Sequence, residues 1–227
     1  MTHKDIHDYY DNLAPDYDRD RFGNSYGRYV DAAEQAVLRA WLAQTPASDV
    51  VDLGCGTGRL LGFAMTGVDG SAAMLAVAKA KHPDRHLIQS TLPAINLPDA
   101  AFAAATCFHV LMHLDEDTIT QSLTQIARVI RPGGRLILDI PSRHRRGHRR
   151  PSGAGHWHGA TSATRRDIER WGTGLWRVRQ RRAIVFLPIH RLSDAARRRL
   201  GGLDALICAT PLGRYASYHV YDLERLA

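Results

Sequence analysis

Cysteine is scarce in this 227-residue chain: Cys55, Cys107 and Cys208 are the whole supply. The number is odd and no two form a Cys-x-x-Cys pair, so neither a disulfide framework nor a cysteine zinc site is expected. Cys55 and Cys107 read instead as small side chains in tight places. Long apolar runs are missing too, and nothing approaches the roughly 20 residues that span a bilayer. The first residues, Met1-Thr2-His3-Lys4-Asp5-Ile6, hold no apolar signal region. These absences predict a cytoplasmic protein with no membrane partner. Lysine is confined to Lys4, Lys79 and Lys81, so every cation beyond them is an arginine or histidine.

Charge is unevenly placed. Residues 1–140 hold 12 Lys+Arg against 17 Asp+Glu, whereas residues 141–227 hold 18 against 6. A basic C-terminal part can meet an acidic substrate or nucleic acid, or simply be solvated surface. The length and the 44% hydrophobic content suit one sizeable α/β domain.

Periodicity supplies the elements. Apolar residues at helical spacing over Tyr29–Leu42 predict an amphipathic helix. Short β-branched or apolar runs predict strands at Asp49–Leu53, Met65–Val68, His86–Gln89, Ala101–Val110 and Leu136–Ile140. Between them, Arg59–Phe63 is expected to be a brief helix. Ser71 and Asp115 are expected to cap two longer ones, and Arg131-Pro132-Gly133-Gly134 to stop the second. Further along, Arg143–Arg150 predicts a mobile loop, Thr164–Trp171 and Ser193–Leu206 helices, and Arg181–Leu187 and Ala216–Leu223 strands. Alternating strands and helices imply a parallel sheet covered on both faces. The chain divides into an N-terminal lid and helix (1–45), a core (46–141) and a C-terminal substrate-side part (142–227).

The chemistry begins at Asp52-Leu53-Gly54-Cys55-Gly56-Thr57-Gly58. Glycines after a strand let backbone approach a nucleotide-like ligand without side-chain clash. Asp69, at the end of the next strand, can accept hydrogen bonds from two ribose hydroxyls. The dinucleotide pattern Gly-x-Gly-x-x-Gly would need a small residue at position 59, which is Arg59, so a nicotinamide or flavin dinucleotide is disfavoured.

The glycine loop resembles the S-adenosylmethionine (SAM) motif of class I methyltransferases. Other motifs follow in that family's order: Gly67-Val68-Asp69-Gly70-Ser71-Ala72-Ala73-Met74-Leu75, Leu97-Pro98-Asp99-Ala100-Ala101-Phe102, Phe108–Leu114 and Ile130-Arg131-Pro132-Gly133-Gly134. Tyr10–Asp18 resembles the N-terminal element that folds over SAM. The resemblance spans about residues 9–140 and points to the small-molecule branch. It implies a Rossmann-like, doubly wound α/β sheet of seven strands, mostly parallel with the last antiparallel, and helices on both faces. It also implies a cofactor site drawn from Tyr17, Asp52, Gly54, Cys55, Gly56, Gly58, Asp69, Gly70, Met74, Ser90, Thr91, Leu92, Phe108 and His113. SAM would be the cofactor and S-adenosyl-L-homocysteine the product.

Three departures stand out. Ten residues separate Gly58 from Asp69, fewer than the family's first helix usually takes. Gln89-Ser90-Thr91 replaces Gly-Asp-Ala, so the acid that often meets the adenine amino group is Ser90. Phe102-Ala103 replaces Phe-Asp. Tyr10 and Tyr17 fit lid packing as well as ligand contact, and Met74 fits core as well as adenine.

Methyl transfer is an in-line displacement, so the protein mainly aligns the reactants and sometimes removes a proton. His109 and His113, just past the fourth strand, are the candidate catalytic residues. Four apart, they would share a face of a helical turn. A zinc pair is conceivable from that spacing but lacks a third nearby ligand, so no metal is expected. His156 and His158, flanking Trp157, either border the acceptor or are exposed loop. The expected acceptor is a small molecule, methylated on O, N or C as in secondary metabolism, by a monomer or homodimer. Two alternatives stay open. An RNA methyltransferase would use the arginines, although no Asn-Pro-Pro-Tyr-type motif follows strand four. A non-catalytic SAM-fold protein is the other.

Overall fold

The computed structural model describes residues 3–147, 159–188 and 192–227. In chain order it contains α1 (His3–Leu13), α2 (Tyr17–Arg21), α3 (Ser25–Trp41), β1 (Val50–Leu53), β2 (Thr66–Asp69), α4 (Ala72–Lys81), β3 (His86–Gln89), β4 (Phe102–Cys107), α5 (Glu116–Val129), β5 (Ile130–Pro141), α6 (Arg143–Arg146), α7 (Arg165–Trp171), β6 (Trp176–Ile184), α8 (Asp194–Cys208) and β7 (Tyr218–Arg225). The seven strands form one sheet in the order β3-β2-β1-β4-β5-β7-β6. β1 to β5 pair in parallel, and β7 runs antiparallel to both β5 and β6. This is the expected seven-stranded, Rossmann-like sheet with its last strand antiparallel.

Two apolar layers cover the sheet, as a parallel sheet requires. One joins Ile119, Leu123 and Ile126 of α5 to Ile168 and Trp171 of α7. The other joins Val30, Val37 and Leu38 of α3 to Leu60, Leu61 and Ala78. Caps set the helix starts: Ser71 Oγ accepts from Met74 N at 3.0 Å and Asp115 Oδ1 from Thr118 N at 2.8 Å.

Several expectations change. The helix expected over Arg59–Phe63 is a run of turns, closed by Leu61 N to Gly58 O (3.2 Å) and Phe63 N to Leu60 O (2.9 Å). Seven residues, 59–65, must carry the chain from Gly58 back to the start of the neighbouring strand β2 at Thr66, which leaves no length for a helix. His3–Leu13 forms the helix α1, where the sequence marks no helix, and a turn over 14–16 leads into α2. Asn24 starts α3 at Ser25, four residues earlier than the apolar stripe indicates, because its side chain accepts from Gly27 N at 2.8 Å. β6 begins at Trp176, because an edge strand leaves Arg177, Arg179, Arg181 and Arg182 in solvent. The Pro-Gly-Gly turn survives as a bulge within β5: Ile130 faces Phe102, Arg135 faces Ala104, and Gly133 between them has φ +76°. Part of the expected Arg143–Arg150 loop is the helical turn α6; the rest, with His156, Trp157 and His158, lies outside the described residues.

Candidate functional site

The carboxyl ends of β1, β2 and β4 converge on one cavity. With its open mouth it holds about 890 Å³ of empty space. β1 delivers the glycine loop to it. Gly54, at φ +72°, could carry no side chain, since a Cβ there would lie 2.2 Å from Val110 Cγ2. Gly56, at φ +52°, has nothing within 4 Å of its Cβ position, so its bare face opens on the cavity. β2 ends in Asp69, whose Oδ2 accepts from Gly56 N (2.8 Å) and Oδ1 from Ser71 N (2.9 Å). These bonds fix the carboxylate and the loop together with no ligand needed, and Asp69 lines the cavity.

Of the residues expected to hold a cofactor, Tyr17, Gly54, Gly56, Asp69, Gly70, Met74, Ser90, Thr91, Leu92, Phe108 and His113 line this cavity, as does His109. The other three stand behind its wall. Asp52 is buried and accepts from Thr106 Oγ1 at 2.6 Å, and burial pushes its carboxyl up to about 6. Cys55 packs its sulfur against Gly67, and Gly58, at φ +84°, turns beside Leu61 and Ala78. Ser90 Oγ donates to Ala94 O (2.7 Å) and accepts from Asn96 N (3.0 Å), so its hydroxyl is engaged within its own loop. Apolar wall residues that the motifs do not mark are Leu53, Val68, Ile95, Val110 and Leu114. They are ordinary core types in sequence, and only the fold aims them here.

The N-terminal segment roofs the cavity through polar ties. Asp11 Oδ1 accepts from Ser71 Oγ at 2.5 Å, and Asp18 Oδ1 from Thr57 Oγ1 at 2.6 Å. Lys81 Nζ meets Asp18 Oδ2 at 2.6 Å. Tyr10 Oη lies 3.1 Å from His113 Nε2.

His109 and His113 do not share a helix face. His109 is left-handed at φ +58° and the next turn is a 3₁₀ turn, Leu111–His113. Both nevertheless reach the cavity. His109 is clasped between two buried acids that motif reading passes over: Nε2 lies 2.7 Å from Glu34 Oε1 and Nδ1 lies 3.4 Å from Asp139 Oδ2. Asp139 also accepts the His109 backbone N–H at 2.5 Å, which holds the strained backbone in place. Arg59 completes the group, its Nη2 2.8 Å from Glu34 Oε2. Burial opposes the imidazolium, but the charges of Glu34 and Asp139 outweigh it and raise His109 to about 9. Burial likewise opposes the Glu34 carboxylate, and His109 and Arg59 bring it below its ordinary value. The two flanking acids thus favour the protonated ring. Ligand atoms of Glu34, His109 and Asp139 lie within 4.8 Å of one another, close enough for a metal ion. The ring stands between the carboxylates, however, with a different nitrogen facing each, so the three do not aim at one point. His113 is not part of that group, and takes the Gly159 N–H on Nδ1 at 3.0 Å.

A second cavity, about 970 Å³ with its mouth, shares Tyr10, Tyr17, His109 and His113 with the first. Beyond that wall it is bounded by Phe22, Tyr26, Tyr218, Met112, Arg21 and Arg146, among others. The arginines of α6 turn inward. Arg143 meets Glu116 and Asp167 (3.3 Å each), Arg145 donates to Phe186 O (2.7 Å) and Tyr215 O (3.0 Å), and Arg146 donates to Gly159 O. They brace the C-terminal part rather than forming a phosphate-facing strip.

Residues 51–138 match the family model described as a methyltransferase domain. Trans-aconitate 2-methyltransferase of Delftia acidovorans is 34% identical over 135 residues, 53% of this chain and 46% of that protein. The 2-phytyl-1,4-naphtoquinone methyltransferase of Synechocystis is 28% identical over 155 residues, 61% of this chain and 63% of that protein. The chain thus spans about half to two thirds of the length of these curated relatives. Among solved structures, a [4+2]-cyclase aligns with TM-score 0.73 at 15% identity, over 100% of this chain and 98% of that one. A magnesium protoporphyrin IX methyltransferase of Synechocystis with bound SAM aligns with TM-score 0.65 at 18% identity, over 98% and 96%. At such identities the likeness is one of fold, which does not by itself fix the chemistry.

Proposed function

We propose that the protein is a class I methyltransferase, as the match of residues 51–138 to a methyltransferase-domain model supports, and that it binds SAM in the first cavity and methylates a small molecule held in the second. The observation that carries this reading is the pair of cavities meeting at one wall, with the bare glycine face and the fixed Asp69 on one side and an aromatic chamber on the other. The residues fit the cofactor. Asp69 keeps acceptor lone pairs for two ribose hydroxyls. Met74, Leu92 and Ile95 offer apolar surface to an adenine, and Gly54 and Gly56 let backbone approach the rest. The relative from Delftia and the SAM-bound structure from Synechocystis support the same assignment by name.

SAM supplies a methyl group already activated on a sulfonium. The protein's part is alignment and exclusion of water. Tyr10, Tyr17, His109 and His113 line both cavities, and at this shared wall an acceptor atom would have to come within about 3 Å of the methyl carbon. Calorimetry with SAM tests the first half, and transfer of label from methyl-labelled SAM to a metabolite panel tests the second. No SAM binding would refute the assignment. SAM binding with no transfer to any acceptor would favour a non-catalytic SAM-fold protein. For an RNA acceptor, which the solvent-facing Arg177, Arg179, Arg181 and Arg182 of β6 would meet, retention on heparin should fall steeply with salt.

A further inference from the structure

Among the described residues, the wall between the cavities provides no ready proton acceptor. The ring nitrogens of His109 lie 2.7 Å from Glu34 and 3.4 Å from Asp139, a setting that favours the protonated ring over a free base. His113 receives the Gly159 N–H on Nδ1 at 3.0 Å. Its own proton therefore sits on Nε2 and points to Tyr10 Oη, 3.1 Å away. Burial raises the hydroxyls of Tyr10, Tyr17 and Tyr218 above their ordinary value, so they stay protonated. Of the carboxylates lining either cavity, Asp69 is fixed by two backbone N–H groups, and Asp20 is an exposed partner of Arg19 at 3.1 Å. An acceptor that must lose a proton at the moment of attack finds no base among the described residues of this wall.

The second cavity suits a different acceptor. Phe22, Tyr26 and Tyr218 join Tyr10 and Tyr17 as its ring-bearing sides, a setting for a flat apolar body. Its cations are Arg21, Arg146 and the His109 imidazolium. Arg21 lines this cavity together with Tyr10 and Tyr17, at its solvent side, where its Nη2 donates to Tyr9 Oη at 3.3 Å. A guanidinium there matches a carboxylate in geometry as well as sign.

Resting on the methyltransferase reading above, we infer that the acceptor is a planar, apolar carboxylic acid, methylated on a carboxylate oxygen that is already ionised in water. The carboxylate oxygen attacks the methyl carbon opposite sulfur. One C–O bond forms, one C–S bond breaks, and the bonding pair stays on sulfur. A sulfonium and a carboxylate become a thioether and an ester, and no proton moves. Cancelling opposite charges is favourable in a low-dielectric chamber lined by rings. Arg21 holds the carboxylate, and the rings hold the flat body.

The test uses the full chain, methyl-labelled SAM, and a probe panel of benzoate, cinnamate and naphthoate, each with its matched phenol and aryl amine. Label should enter the acids and be released as methanol by mild alkali, which cleaves esters and leaves ethers and N-methyl groups intact. Arg21→Met should raise KM for the acids about tenfold, equivalent to one lost charge-assisted bond, and Arg21→Lys should recover part of it. The calorimetric Kd for SAM should stay within about twofold in both variants. Alkali-stable label on a phenol or amine overturns the inference, as does acid methylation indifferent to Arg21. SAM bound without label in any acid overturns the acceptor class and leaves the cofactor reading standing. No SAM binding at all overturns both.

Discussion

Glu34 Oε1 lies 2.7 Å from His109 Nε2, tying the middle of α3 to the carboxyl edge of the sheet. Glu34 is fully buried, so the pair is one of charges removed from water. Breaking such a pair leaves an uncompensated buried ion, which costs about 3 kcal/mol. Glu34→Gln should therefore destabilise the protein by about that amount at pH 7, measured by urea unfolding. His109 is raised from 6.5 to about 9. Its stabilising contribution is full below the unfolded value and is lost as pH rises through about 9. The gap between parent and variant should accordingly narrow at pH 10, and an equal gap at both pH values would contradict the assignment.

Gly54 and Gly56 are both left-handed, yet they should fail differently. A Cβ at Gly54 meets Val110 at 2.2 Å, whereas one at Gly56 meets only the open cavity. Gly54→Ala should cost about 2 kcal/mol or more of stability through clash and backbone strain. Gly56→Ala adds only the strain term, about 1 kcal/mol, but places a methyl where the ligand's backbone approach is needed. Its SAM affinity should drop at least about tenfold while the fold persists. Thermal melts and calorimetry on both variants separate the effects.

Asp69 and Asp52 stand at the ends of neighbouring strands with opposite duties. Asp69→Ala removes charge-assisted bonds of roughly 1.5–3 kcal/mol each, so SAM affinity should fall at least about tenfold. Asp52 lies behind the wall with its carboxyl raised to about 6 by burial. A raised acid favours the folded state more as pH falls through about 6 toward the unfolded value, so at pH 7 its charge is a burden. Asp52→Asn keeps an acceptor for Thr106 and should raise stability by about 1 kcal/mol at pH 7, with SAM affinity nearly unchanged. The gain should vanish at pH 4.

Asp18 is held from two sides, by Thr57 and by Lys81, each at 2.6 Å. Asp18→Ala should loosen α2 from the glycine loop without unfolding the core. Faster amide exchange over residues 8–22, against unchanged exchange in β1 and β4, would show this. A SAM affinity lowered about threefold should accompany it.

Much of the sheet and half of the site were legible in the sequence. β-branched runs ending in glycine or an acid mark β1 and β2, and the residues after them form the cavity. Asp52 misled because an acid beside a glycine loop looks like a ligand contact, whereas strand alternation turns it inward to Thr106. The turn run at Arg59–Phe63 was misread because five residues with apolar members at 60, 61 and 63 fit a helical turn; the short span to β2 decided otherwise. Glu34 left a signal in plain view. It is an acid within the buried stripe Val30, Glu34, Val37 and Leu38 of α3, and a buried acid needs a partner. Asp139 stands likewise in an apolar strand. Which partner each would find, His109 between them, depended on the packing of α3 across β4 and β5, and spacing along the chain carries no record of that.

The roof over the first cavity is fastened by Asp11 to Ser71, Asp18 to Thr57 and Lys81, and Tyr10 to His113. The Asp18–Lys81 ion pair among them weakens in electrolyte, whereas buried hydrocarbon does not. The rate at which spent cofactor escapes should therefore climb with ionic strength. If that escape limits turnover, moderate salt will speed the steady state while leaving a single cycle unchanged.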